Sequence, residues 1–359
     1  MSKPDQEHAI ERLARSFERF AFYCQQSSPL YERFSLGVAA DPELLQLAAY
    51  VRQGQPPPNM LFGAVQLLLL QGATHPLADF YPSIVSEVQA TGDPYPVFRD
   101  FCLQYRDAIR PIIATRITQT NEVRRCAYLL PAFTFIAQRS AGRPLALVEI
   151  GASAGLNLLW NRYSYDYGTG RIYGDHSAPV RITSILKGSF YPPLPDSFPS
   201  VAARIGIDLN PLDVRDPDAT LWLRALVWPE HTARATLLHQ AIQVAQDHPP
   251  LLIAGSVFKR LPEVIAEIPS EATLCLYHTH VIYQFSPAER QQLSSLIASY
   301  GQYRDLYRIA CEILGTGKAR LELTAYTGGA PATTLLALTE GHAQEIEWKA
   351  ASADDVMSR

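Results

Sequence analysis

The chain has 359 residues, 47% apolar and 18% charged, with a formal net charge of −4, a composition that excludes disordered, collagen-like and coiled-coil chains and gives no reason to expect a nucleic acid or an anionic membrane as partner. The longest apolar run is bounded by Gln66 and Gln71, well short of the ~18 residues a membrane-spanning helix needs. The first residues are charged with no apolar stretch behind them, and the five cysteines show no C-x-x-C spacing, so a cytoplasmic protein is expected, with reduced thiols and neither secretory signal, disulfide framework nor zinc ribbon.

At ~150 residues per domain the length suggests two domains. Residues 1–142 read as helical throughout. Ile10, Leu13, Ala14, Phe17, Phe20 and Ala21 recur at intervals of three and four, the spacing of one apolar helix stripe. Asp41-Pro42 is an N-cap followed by proline at the first helical position, and Gly54 ends that helix before Pro56-Pro57-Pro58. Further helices are predicted over residues 59–72, 97–113 and 121–139. From Gly142 the pattern changes. Leu145-Ala-Leu-Val-Glu-Ile150 is short, apolar and bounded by Pro144 and Gly151, the signature of a strand buried on both faces. Thereafter helices near 154–161, 217–227, 233–246, 261–267 and 287–298 alternate with strands at 203–208, 251–257 and 273–278, the pattern of a parallel sheet covered by helices. Strands at 303–310, 320–326 and 333–338 follow, the last two joined as a hairpin through Gly328-Gly329. The residues from Tyr163 to Ser200, rich in Tyr, Gly and Pro, interrupt the alternation as a β-hairpin plus loop, read equally as a surface excursion or a lid.

The junction Val148-Glu-Ile-Gly-Ala-Ser-Ala-Gly-Leu-Asn157 carries the chemistry. A dinucleotide fingerprint G-x-G-x-x-G fails at Ser153 and Leu156, and no Lys-Ser/Thr pair follows as in a phosphate loop. The hydrolase elbow G-x-S-x-G is matched by residues 151–155 with Ser153 as nucleophile, and Asp208 followed by His278, His280 or His342 supplies the remaining order. Against it, the region upstream reads as helical rather than as strands, and Glu149 has no role in that chemistry. The turn of S-adenosylmethionine (SAM) methyltransferases, E/D-x-G-x-G-x-G, is matched with Ser153 in place of the middle glycine. There Glu149 would take the ammonium of SAM, directly or through water. Asp208, at the tip of the next strand, would accept the ribose hydroxyls. Its distance from Gly151 exceeds the ~20 residues of a minimal unit, and the 163–200 insertion accounts for the surplus.

These segments, with Gly206-Ile-Asp-Leu-Asn-Pro-Leu-Asp213, Trp222-Leu-Arg-Ala-Leu-Val-Trp-Pro-Glu230, His278-Thr279 and Gln119-Thr-Asn-Glu122, resemble, over nearly the whole chain, a bacterial family catalogued as a domain of unknown function. That family is usually placed with the SAM-dependent methyltransferase-like Rossmann folds. The expected fold is therefore α/β: an N-terminal all-helical domain over residues 1–142, and a Rossmann-like SAM-binding domain over 143–359 whose sheet closes with an antiparallel hairpin.

The cofactor would be held by Glu149, Gly151, Ala152, Ser153, Gly155 and Asn157 on the first strand end. Asp208 and Leu209 would hold it on the second, and Ser256 and Val257 on the third. His278, at the tip of the fourth strand, is the expected general base, with His280 and Tyr283 beside it. His278 and His280 form H-x-H, one face of a strand, but without evident further ligands, and no metal is assigned. Asn121 and Glu122 open a helix whose end would close the mouth of the site. Trp222 and Trp228 are read as packing residues of one helix. The expected function is methyl transfer to a small or medium acceptor. A Ser153 hydrolase and a non-catalytic methyltransferase-like binding protein are the alternatives.

Overall fold

The computed structural model describes residues 3–313 and 317–351. They divide into two compact units, one formed by the chain up to Thr120 with Asp216–His239, the other by Asn121–Arg215 and the chain from Gln240 on. Among the described residues no helix is long and apolar enough to cross a membrane.

The first unit is helical: α1 (Lys3–Cys24), α2 (Pro29–Ala39), α3 (Pro42–Ala48), α4 (Pro57–Leu70), α5 (Tyr95–Gln104) and α6 (Arg106–Thr115). Side chains start two of these helices. Ser28 accepts the Tyr31 N–H, and Asp41 accepts those of Glu43 and Leu44 ahead of Pro42. The helix expected over 97–113 is two, because the backbone at Tyr105 leaves helical geometry (φ −100°, ψ 18°). An aromatic core fills the unit: Phe34 stacks on Phe98 at 4.1 Å, and Phe62 meets Tyr31 at 4.7 Å.

A later helix, α8 (Pro217–Ala225), returns to this core, where Trp222 is buried and Trp228, beyond the end of α8, packs against it. Polar bonds fix the return. The buried amide of Gln66 donates to the Val227 carbonyl at 2.7 Å and accepts from the Tyr31 hydroxyl at 3.2 Å, while Glu230 accepts from the Ser28 hydroxyl and the Leu30 N–H.

The second unit is an α/β structure with a mostly parallel nine-stranded sheet. Its strands are β1 (Leu145–Ile150), β5 (Ile185–Lys187), β6 (Val201–Asp208), β7 (Leu251–Ala254), β8 (Thr273–Thr279), β9 (Leu306–Glu312), β10 (Ala319–Tyr326), β11 (Ala332–Thr339) and β12 (Glu345–Trp348). The order is β7-β6-β1-β8-β9-β10-β11-β12-β5. The block from β7 to β9 is parallel, β10, β11 and β12 follow antiparallel, and β5 pairs parallel with β12. Every residue of β1 and of β8 is buried, as strands covered on both faces require.

Alternation sorts these strands into two faces. Ala146, Val148, Ile150, Leu274 and Leu276 share a core with α10 (Val257–Glu267) and α11 (Pro287–Tyr300). The opposite face is covered by α7 (Cys126–Arg139), whose Phe133 meets Tyr277 of β8 at 5.4 Å. Helix α7 thus belongs to the same compact unit as the sheet. Helix α9 (Thr232–Asp247) is shared between the two units' residue sets.

The inserted segment forms a small sheet in which β2 (Ser164–Asp166) pairs antiparallel with β3 (Ile172–Tyr173) and parallel with β4 (Arg181–Thr183). It acts as a buttress: the buried hydroxyls of Tyr163, Tyr165 and Tyr167 donate to the carbonyls of Leu156, Trp160 and Ala127 at 2.6–2.7 Å. Two of those carbonyls lie in the segment after β1, which is a 3-10 turn over Leu156–Arg162 in place of the expected α-helix. Carbonyls bonded to tyrosines need no i→i+4 partner.

Gln66→Leu should destabilise the protein by roughly 1–3 kcal/mol, since it leaves the Tyr31 hydroxyl and the Val227 carbonyl without these buried partners. Urea unfolding measures this, and an unchanged midpoint and slope would contradict the role given to Gln66.

Candidate functional site

The carboxyl ends of β6, β1 and β8 lie side by side, and the turn after β1 begins at them. Three residues of that turn are left-handed: Gly151 (φ 75°), Ser153 (φ 55°) and Gly155 (φ 71°). Sterics demand the two glycines as well. A Cβ at Gly151 would lie 2.4 Å from a Val281 methyl, and one at Gly155 would lie 2.6 Å from the Pro250 ring. Ser153 takes the strained conformation with a compensating bond, its N–H donating to an Asp208 carboxylate oxygen at 2.9 Å. The other Asp208 oxygen accepts the Asn210 N–H at 2.8 Å. The Ile207 carbonyl takes the Gly151 N–H, and Asn121 Oδ1 takes the Leu156 N–H at 3.1 Å. Asn121 therefore fastens the segment after the turn. Glu122 caps a 3-10 turn over Val123–Arg125, accepting the Arg124 N–H, and that turn runs directly into α7 at Cys126.

Beneath the turn Glu149 is 2% exposed. Asn157 donates to one of its oxygens at 3.4 Å and Tyr277 to the other at 3.2 Å. Burial pushes the carboxyl up to about 8 against these bonds, so it carries its proton at neutral pH.

Around the turn the expected residues separate. Leu209 is 71% exposed beside Asp208, and the Asp208 carbonyl accepts the Gly255 N–H, which places Ser256 at the adjacent strand end with its hydroxyl free of capping. Val257 begins α10 and is packed in the core. Ala152 is buried at Gly206.

His278 lies on the other side of the sheet. Glu149 pairs in register with Tyr277, so His278 points to the face that bears α10 and α11. It is 1% exposed, with Nδ1 2.7 Å from Glu312 and Nε2 receiving the Arg308 guanidinium at 3.0 Å. Arg308 can only donate, so Nε2 accepts and Nδ1–H donates to Glu312. Burial lowers the imidazole's pKa, and the neutral ring joins a partly buried cation to a buried anion. Glu312 Oε1 also accepts the N–H groups of Val281 and Ile282, so the carboxyl stays below its ordinary range despite burial. Both ring nitrogens that a general base would use are thus engaged inside the protein.

His280 does not share a strand face with His278, because β8 ends at Thr279 and His280 turns to φ 54°. It is pushed down to about 4 by burial, with Arg125 and His342 adding and Glu312 opposing, and its Nε2 is buried without a hydrogen-bond partner. Arg125 donates to the Thr279 carbonyl and hydroxyl, and Glu122 meets His342 at 3.1 Å. Tyr283 is 62% exposed. Among the described residues no group of three or more His, Cys, Asp or Glu is placed to hold a metal.

Ser153 is 3% exposed and its hydroxyl has no hydrogen-bond partner, so the contact of nucleophile with base that a hydrolase needs is not made. Sequence reasoning missed Arg125, Tyr277, Arg308 and Glu312. The available signal was a carboxylate ending an otherwise largely apolar strand.

The family model described as "Uncharacterized protein conserved in bacteria (DUF2332)" matches residues 14–348, and the chain belongs to that family. No curated protein and no solved structure matches the chain.

Two outcomes follow from the buried charges. The Glu149 pKa in the folded protein lies above its ordinary 4.5, so the unfolded chain ionises first and native stability falls as pH rises from about 4.5 to about 8. Glu149→Gln removes this loss. Its urea-unfolding free energy should exceed the wild type's by on the order of 3 kcal/mol at pH 7, with the gap closing near pH 4.5, whereas parallel pH profiles would refute the protonated acid. His278→Ala removes a neutral hydrogen-bond partner from both Arg308 and the buried Glu312 and should cost about 1–3 kcal/mol; a variant of wild-type stability would contradict that linkage.

Proposed function

We propose that this member of the DUF2332 family is an SAM-dependent methyltransferase with a Rossmann-like core, acting in the cytoplasm on a small or medium acceptor. The observation that carries the reading is the 151–155 turn at the tip of the first strand, tied to the Asp208 carboxylate at the tip of the second. The parallel block supports it. In chain order its strands lie third, second, first, fourth, fifth, the arrangement in which ligands bind outside the carboxyl ends at the switch between the first and fourth strands.

The residues present fit the adenosine end of the cofactor. Asp208 sets its carboxylate at the tip of the second strand, bonded to the Ser153 N–H of the turn, where a cofactor's ribose hydroxyls would lie. Leu209 offers an exposed apolar side chain to a flat ring, and the Ser256 hydroxyl lies at the neighbouring strand end. Glu149 does not fit a direct contact with the ammonium, because Asn157 and Tyr277 enclose it and burial keeps it protonated. It holds Asn157 beneath the turn instead. Bound there, the cofactor would supply an electrophilic methyl group. His280 adjoins Val281, which lies against Gly151 of the turn, and with Tyr283 would line the acceptor side; burial makes the His280 imidazole neutral at physiological pH and a weak base. His278 serves as a positioning residue, fixing through Glu312 the loop on which Val281 and Ile282 lie.

Calorimetric titration of the full chain with S-adenosylhomocysteine tests the reading. Saturable binding is expected, weakened in Asp208→Ala by about 10- to 150-fold, the worth of 1.5–3 kcal/mol from hydrogen bonds to a charged group. No binding by the folded wild type overturns the proposal. Binding without methyl transfer to any acceptor would leave the non-catalytic alternative.

A further inference from the structure

The sheet face that bears Glu149 and Tyr277 carries a recess toward the amino end of β9. Ala325 pairs with Tyr307 on one side and Ala332 on the other, and Leu323 pairs with Thr334, so all five side chains share this face. The small residues among them leave a cavity of about 420 Å³, within the range of small-molecule sites. The last turn of α7 and the residues after it bring Arg139 and Arg143 to its wall.

The two guanidinium groups are not equivalent. Arg143 lies 3.6 Å from the Asp305 carboxylate. Arg139 has no carboxylate within ion-pair distance among the described residues: it stacks on the Phe135 ring at 3.4 Å and donates to the Phe135 carbonyl. Burial works against its charge. Stacking occupies one flat face of the guanidinium and leaves its edge, a fork of N–H donors, for a planar acceptor. Two cations against one anion make the recess net positive, while Leu323, Ala325 and Ala332 supply an apolar wall.

We propose that this recess binds a small anion with a flat apolar body, its carboxylate or phosphate received by Arg139 and Arg143. Titration of the full chain with benzoate, phenyl phosphate and benzylamine tests this. At least one of the two anions should bind saturably at millimolar concentration or below, the tighter of the two identifying the acid group, and the cation should not. Arg139→Met, which keeps an unbranched apolar stem over Phe135, should weaken the anion at least tenfold, as should Ala332→Phe, which fills the recess and leaves both arginines. Unchanged thermal unfolding shows that each variant is folded. The proposal is overturned if neither anion binds the wild type, if benzylamine binds as well as they do, or if both folded variants keep wild-type affinity.

Discussion

A backbone that turns left-handed three times within five residues pairs few of its own N–H and C=O groups, here the Gly155 N–H with the Ala152 carbonyl, and buried peptide groups must be paired. The 151–155 turn draws its partners from elsewhere: the Ile207 carbonyl and Asp208 carboxylate from β6, the Leu212 N–H for the Ser153 carbonyl, and the Asn121 amide at the Leu156 N–H. They come from two stretches of chain, residues 207–212 and Asn121, so the turn is a point where separate segments are held in register. The tyrosines of the inserted sheet do the same for the segment that follows. A region that the sequence presents as an interruption is therefore part of what makes the turn possible.

The same sheet buries ionisable groups by two opposite solutions. On the α7 face Glu149 has only neutral donors, and it remains an acid by keeping its proton. On the face of α10 and α11 a cation and an anion are both retained, with a neutral imidazole between them whose two nitrogens present opposite characters, acceptor to Arg308 and donor to Glu312. The first arrangement changes with pH near neutrality. The second does not, since protonating His278 would set a charge against Arg308 in a site where burial already disfavours it.

Local signals made much of this legible. Helix spacing before residue 142, the apolar run at 145–150, the alternation after it and the glycine turn are all written in neighbouring residues, and Asp208 stands where a strand-tip carboxylate was expected. What failed to show depends on pairing between distant segments. The segment after β1 has helix-compatible residues, but its carbonyls are claimed by tyrosines further along the chain. His278 looks like a site residue by position along its strand, yet facing is set by register with β1, and Tyr277, not His278, lies beside Glu149. Residue 280 belongs to the H-x-H pattern only while the strand continues, and it stops one residue earlier.

The parallel pairing of β5 with β12 joins residues that stand far apart in the chain, Ser184 bonding across to the Gln344 carbonyl over 160 positions. Contacts of such sequence separation carry a large loop-closure entropy and slow a chain's folding. On a ribosome, synthesis at about 5–20 residues per second would leave Ile185–Lys187 without a strand neighbour for many seconds before Glu345–Trp348 emerged. The inserted segment would by then have its own small sheet to settle into, since β2, β3 and β4 pair among themselves within some twenty residues. Assembly of the large sheet's outer edge is thereby deferred until β12 has been made, while the central parallel strands, β1 and β6 first, become available in turn.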